Sequence, residues 1–401
     1  MKNPLRAAVA ALAFVAMPPA VLAADAPGIS KTEIRLGQTT SYSGPASQYG
    51  LIGRTQSAYF KMLNEQGGVN GRKVTLLSVD DGYSPPKSME QMRKLVEQDN
   101  VAFMFNSFGA PTNAAQQRYL NGNKVPQLFV ATGSHEWGDV AKLPWSMGFQ
   151  PSFRSEAAIF TQAMLKARPG AKIGLLYQND DMGRDMLAGI KEALGSKNAA
   201  SLVYAVSYEP SDPTVDSQIV SLQAAGVDTL VLAAIPKFAA QSIRKMYQQR
   251  WMPVTYISNG ASGVDAAMEP ARGKTELPLL SSAYLKNPLD PAWKDDVGLA
   301  TYREFMKKQM PDADPNSFLP LYGYTVAAAI VQVLRQCGDD LSRENILRQA
   351  ANLKDVSLPT LLPGVRLNTS AADHYPVEQM QLMKWDGTTW TLYGDVINAR
   401  P

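Results

Sequence analysis

The chain has 401 residues, with 39 Lys and Arg against 36 Asp and Glu, a formal net charge of +3. That balance excludes the basic face that a nucleic-acid partner requires, and the length is enough for two domains. One cysteine, Cys337, excludes an intramolecular disulfide.

In chain order, Lys2 and Arg6 precede an apolar run over 7–17, and Val21-Leu22-Ala23 supplies small residues at a cleavage position. This is the pattern of a secretory signal peptide over 1–23, with the cut after Ala23; the apolar run is too short to span a bilayer, and an uncleaved anchor is the alternative. No cysteine stands at the cut for lipid attachment, and loss of Lys2 and Arg6 brings the net charge to +1. The mature chain is expected in the periplasm. No later apolar run reads as long and pure enough for a membrane span.

A strand over 34–39 ends in the Ser/Gly/Pro loop 41–44. The helix after it runs to Gln66 with Ile52, Tyr59, Met62 and Leu63 on one face. Gly67-Gly68 ends this helix, Asn70-Gly71 turns the chain, and a second strand follows over 73–79. Strand, loop, helix and strand make a βαβ unit, hence a parallel sheet with ligands at the carboxyl ends of its strands. The rhythm continues with a strand at 101–105, a helix at 110–120 and a strand at 126–131. After Phe149 it restarts: strands at 172–177, 202–207, 229–232 and 254–258 alternate with helices at 182–194, 214–225 and 238–249. Continuous apolar strands such as Leu230-Val231-Leu232 suit sheets covered on both faces. Cys337 follows an apolar helix over 319–336 and reads as a half-buried filler. Two βα runs imply an α/β fold of two doubly wound parallel-sheet lobes.

Catalytic signatures are missing. No serine has the flanking glycines of a nucleophile elbow, no Gly-rich loop ends in Lys-Ser/Thr, and His135-Glu136 lacks the second histidine of a zinc helix. The pairs Asp80-Asp81 and Asp180-Asp181 stand at strand ends, where capping is the commoner use of such residues than catalysis. The chain is therefore expected to be no enzyme and to carry no cofactor.

The segments SGP, QYG, GGVNGRKV and DD, in that order, followed by PWSMGFQPS, YQNDDMGRDMLAGIKEAL and ADHYPVEQMQLMKWDG, resemble the periplasmic solute-binding proteins of branched-chain amino-acid-type ABC transporters across essentially the whole mature chain. The resemblance implies a three-segment hinge with crossings near 149–150, 281–284 and 375–376. Lobe I would then be 24–149 with 282–375, and lobe II 150–281 with 376–401. It also implies capture of a small molecule between the lobes and delivery to a membrane permease, by a monomer. A sensor presenting its closed form to a receptor is the competing reading.

The cleft is expected from the loops at strand ends: 41–49, 107–112 and 132–137 in lobe I, and 179–183, 235–238 and 259–262 in lobe II. Free backbone N–H groups at the helix start Ala110-Pro111 suit a carboxylate. The resemblance places Tyr49 in the pocket, carboxylate contacts on Phe108, Gly109 and Ala110, and a hydroxyl with backbone groups on Gly133, Ser134 and His135. Ser41, Tyr42, Thr132, Met182, Pro236, Asn259 and Gly260 complete the candidate set. Tyr49 has helix-start packing as its alternative, Ser134 a plain turn, His135 a structural or surface position, and Lys237 a solvated helix start.

Amino-acid binders of the resembled family carry an acid in the loop that here reads SNGASG, and that acid pairs with the ligand ammonium. A buried ammonium needs such a partner. Met182 and Ile235 soften the lobe II wall, and Phe108, Tyr49 and Trp137 add rings. The expected ligand is a carboxylate without an amino group, with an apolar or aromatic body. Branched-chain amino acids or amides are the alternative, with Asp180, Asp181 or Asp265 supplying the acid.

Overall fold

The computed structural model describes residues 26–265 and 267–398; the expected signal segment and its cut lie outside the described residues. Strands β1 (Glu33–Thr40), β2 (Lys73–Asp80), β3 (Phe103–Phe105), β4 (Gln127–Val130) and β5 (Ser146–Gly148) form a parallel sheet in the order β2-β1-β3-β4-β5. A second sheet contains β6 (Ile173–Gln178), β7 (Leu202–Tyr208), β8 (Thr229–Ala233), β9 (Val254–Ile257), β10 (Leu279–Ala283), β11 (Gln379–Trp385) and β12 (Trp390–Asn398), in the order β12-β11-β10-β9-β8-β6-β7. Its parallel part, β7-β6-β8-β9-β10, repeats the order of the first sheet. The hairpin β11–β12 is added antiparallel at its edge.

Helices α1 (Gly50–Glu65), α2 (Pro85–Glu97) and α3 (Ala110–Gly122) serve the first sheet. Helices α4 (Phe153–Ala167), α5 (Asp181–Asn198), α6 (Asp216–Ala224) and α7 (Pro236–Gln248) serve the second. Regular helical geometry in α5 is interrupted at Gly195, whose φ of 57° is left-handed, close to the helix end read from sequence at Leu194. Inner strands such as β3 and β8 are buried along their length, as in Thr229–Ala233, which fits sheets covered on both faces, whereas the edge strands β2, β7 and β12 are partly exposed.

Three further helices lie between β10 and β11: α8 (Val297–Gln309), α9 (Phe318–Gln336) and α10 (Arg343–Ala350). They return to the first sheet. A Cβ at Gly323 of α9 would stand 2.9 Å from the Ile52 carbonyl oxygen of α1, so only glycine allows this approach. Arg343 of α10 donates to the carbonyls of Ala102 and Val101 at 2.7 and 2.9 Å. Helix α9 is long and apolar enough to cross a membrane, contrary to the sequence reading, but most of it is buried inside the protein and it is a core helix. Cys337, which follows it, is buried, and burial pushes its thiol up to about 12, out of reach of ordinary thiolate chemistry.

The chain thus runs between the sheets after β5, after β10 and before β11. This is a two-lobed α/β fold.

Candidate functional site

In each parallel sheet the strand order reverses beside the first strand of its run, between β1 and β3 and between β6 and β8. Loops at these switch points diverge and leave a crevice at the carboxyl ends. A cavity of about 570 Å³ of empty space lies where the two crevices face each other. The first sheet contributes Tyr49, Tyr83, Phe108, Gly109, Ala110, Ala131 and Thr132. The second contributes Asp180, Met182, Ala234, Ile235 and Gly260, and Phe318, Leu319 and Tyr322 enter from the start of α9.

Local chemistry explains these placements. Gly109 precedes α3 with φ 101° and ψ 146°, a conformation in practice confined to glycine. It turns the first N–H groups of α3, around Ala110 and Thr112, toward the cavity end of the helix, where no preceding turn exists to satisfy them. Thr112 caps the loop from inside, donating its hydroxyl to the Phe108 carbonyl. On the facing side, Asp180 caps α5 by accepting the Gly183 N–H at 3.2 Å, and its other oxygen accepts from Gln178 Nε2 at 2.5 Å. Burial, supported by the neighbouring Asp181 charge, pushes the Asp180 carboxyl up to about 6. Among the described residues, no Lys, Arg or His lines the cavity.

Aromatic rings form its main wall. Phe108 stacks on Tyr49 with centroids 4.0 Å apart and leans on Tyr83 at 5.7 Å. Two of these rings also bridge the lobes. The Tyr49 hydroxyl donates to the Gly260 carbonyl at 2.9 Å, and Gln178 Nε2 donates to the Tyr83 hydroxyl at 2.9 Å. Tyr49→Phe removes the first bridge while keeping the ring. The expected result is about fivefold weaker ligand binding, the net worth of one neutral hydrogen bond, with little change in melting temperature. Calorimetric titration of the two proteins checks it.

Of the residues named from sequence, Tyr49, Phe108, Gly109, Ala110, Thr132, Met182 and Gly260 meet on this cavity. The others stand behind it. Ser41 donates to Asp81 at 3.1 Å, and Tyr42 shares a hydrogen bond with Ser78 at 2.7 Å, so both brace the β1 loop against β2. Gly133 packs against the Pro151 carbonyl and the Phe153 ring, where a Cβ would meet Pro151 O at 2.7 Å. Ser134 bonds to Thr132 at 3.1 Å. His135 sits on the rim: its ring stacks on Tyr375, and its N–H donates to Asp185 at 2.6 Å, with Arg154 beside Asp185 at 3.0 Å. Burial and the Arg154 charge lower the His135 pKa. Pro236 opens α7 beneath the surface, where its neighbour Ile235 lines the cavity. Asn259 is tied to Glu156 and Ser282. Trp137 belongs to a separate small cluster with Val130 and Leu143, and Lys237 donates to the Asp212 carbonyl.

Sequence reasoning did not find Ile52, Tyr83, Gln150, Phe153, Phe318 or Tyr322. Tyr83 carries the one available signal, because it follows the Asp80-Asp81 pair at a strand end. The α9 residues give none, since their approach depends on the chain returning to the first sheet.

A profile of the family described as periplasmic binding protein matches residues 33–389. The Leu/Ile/Val-binding protein homolog 1 of Brucella suis is 20% identical over 326 residues, covering 79% of this chain and 82% of that protein. A branched-chain amino acid ABC transporter protein from Thermus thermophilus, solved with bound valine, superposes with a TM-score of 0.82 at 15% identity, covering 92% of this chain and 97% of that one. A fatty acid ABC transporter substrate-binding protein from Thermomonospora curvata gives 0.77 at 21% identity, covering 94% and 95%. With a repeated strand order, a cavity between two crevices and a family match over nearly its whole length, the chain belongs to the periplasmic binding protein family and has its type I fold.

Proposed function

We propose that this protein captures a small carboxylate lacking an amino group, with an apolar or aromatic body, and hands it to the membrane permease of an ABC importer. Binding small molecules for ABC-type transport is the business of its family; the head group and body are the new part. The reading also carries export to the periplasm by cleavage after Ala23, a monomeric state, no catalysis, and a hinge at the crossings near 149–150, 281–284 and 375–376.

The observation that carries it is the cavity wall. Tyr49, Tyr83, Phe108, Phe153, Phe318 and Tyr322 supply rings, and no side-chain cation is present. An anionic head then depends on the N-terminus of α3, which holds carboxylates through backbone N–H groups and the helix dipole. Relatives described as binding valine and a fatty acid share the fold, so the fold leaves the head group open.

One observation favours the second reading, an α-amino acid. Asp180 places a carboxyl on the cavity wall, where an ammonium finds its counter-charge. One of its oxygens already accepts the capping N–H of Gly183 and the other the Gln178 amide, which supports the first reading instead.

Calorimetric titration of ligand-stripped protein with benzoate, phenylacetate, leucine and valine, at about pH 5 and about pH 8, separates the two readings. The carboxylates are expected to bind, and severalfold more tightly at the lower pH, because Asp180 loses its charge as pH falls through about 6. Tight binding of leucine or valine, strengthening as pH rises, overturns the proposal in favour of the amino-acid reading.

A further inference from the structure

A second cavity, with about 510 Å³ of empty space, adjoins the first. It is walled by Asn259, Ser262, Gly263 and Val264 after β9, by Ala283 at the end of β10 with Leu285, Asn287 and Pro288 beyond it, by Met383, Trp390 and Leu392 of the edge hairpin, and by Asn316 and Phe318. Phe318 faces both cavities, and the adjacent residues Asn259 and Gly260 line one each. Phe318 and the Asn259–Gly260 peptide unit are thus parts of the partition. Each is thin. Phe318 is the first residue of α9 and only half-buried, and rotamer exchange of such side chains is fast compared with binding. At Gly260 a Cβ would meet nothing within 4 Å.

The second cavity has its own chemical character. Among the described residues, no charged side chain lines it. Its apolar surface comes from Val264, Leu285, Met383, Trp390 and Leu392, and its polar atoms are amides and a hydroxyl. Asn287 is saturated, donating to Thr389 and Trp390 and accepting from Leu289. Asn316 forms no side-chain hydrogen bond among the described residues and is free to meet an uncharged polar group.

We propose that the two cavities are compartments of one binding site, and that its ligand is an elongated carboxylate: head group in the first compartment, apolar body past Phe318, far end in the second. The far end is uncharged, an aryl ring or chain that tolerates a hydroxyl or ether against Asn316. This rests on the carboxylate reading above and deepens it, since an amino acid with an ordinary side chain fills only the first compartment.

Titration with benzoate, phenylacetate, phenylbutyrate and phenylhexanoate tests it. In the unmodified protein, affinity is expected to rise along the series by about tenfold for every two methylenes that enter the second compartment. Leu392→Trp fills that compartment from β12 and is expected to abolish the gain while leaving phenylacetate binding unchanged. Val264→Phe does the same from the opposite wall and guards against a folding defect in the first variant, with melting temperatures recorded for both. Equal affinities along the series, or a length gain that survives both variants, overturn the two-compartment site. If no carboxylate binds and leucine does, the head-group reading fails by itself. The same comparison then runs with leucine, phenylalanine and a phenylhexyl-extended amino acid: a gain lost in Leu392→Trp sustains the extended site, and no gain overturns it.

Discussion

Replacing Glu156 by glutamine is expected to leave stability nearly unchanged at about pH 4.5 and to raise it by about 3 kcal/mol at about pH 8. Glu156 lies in the first turn of α4, just past the first crossing, and is buried. Its Oε1 accepts the Asn259 N–H at 2.8 Å and the Ser282 hydroxyl at 2.5 Å. No cation is among its partners, so burial dominates and pushes its carboxyl up to about 7 against those two hydrogen bonds. Below the unfolded value of 4.5 the group is protonated in both states. As pH rises, the unfolded chain releases its proton first, so the contribution to stability falls steadily until pH passes about 7 and is flat beyond. Glutamine keeps an acceptor oxygen for Asn259 or Ser282 and has no charge to expose. Denaturant titrations of both proteins at three pH values give the difference directly, and other titrating groups such as Asp180 cancel from it. Parallel stability curves for the two proteins would refute the assignment.

The second large effect belongs to Gly109→Ala. A Cβ there would lie 2.6 Å from the Thr112 hydroxyl and 2.6 Å from the Tyr83 ring, on a backbone at φ 101°. Backbone strain and overpacking each amount to about 1–3 kcal/mol, so a stability loss of about 3 kcal/mol is expected. Binding suffers separately. Relief of the clash moves Tyr83, which carries an inter-lobe hydrogen bond, and tilts the N–H groups of α3 proposed to hold the head group. A loss of at least about tenfold in affinity, measured well below the melting temperature, is the expected result. Thr132→Val, on the neighbouring strand-end loop of the same sheet, provides a control outside α3. Wild-type affinity in Gly109→Ala would show that the N-terminus of α3 does not hold the head group.

The strands and helices of the βα rhythm were readable where a strand is continuously apolar, as in β8, and where a helix has one buried face, as in α7. Boundaries moved by a residue or two, as at β1 (Glu33–Thr40 against 34–39). Helix α4 was not legible because it is buried along much of its length and lacks a clean polar face: Phe153, Ile159, Phe160 and Met164 are buried, and so is Glu156. The edge hairpin was not legible either, since its partner β10 is distant in sequence and pairs across a chain crossing. In the site, strand-end loops could be read because parallel sheets put them together. Helix α9 could not, because nothing local in Phe318 or Tyr322 says that a helix between two second-sheet strands packs back on the first. His135 illustrates the converse: a strand-end loop position, yet with its ring turned to Tyr375 at the rim.

The two bridging hydrogen bonds, Tyr49 to Gly260 and Gln178 to Tyr83, also set a time scale. Each joins one lobe to the other at the wall of the cavity, so parting of the lobes breaks both. Opening is a unimolecular event, and its rate is a ceiling on escape for every occupant, weak or tight. Residence times would then converge where affinities diverge.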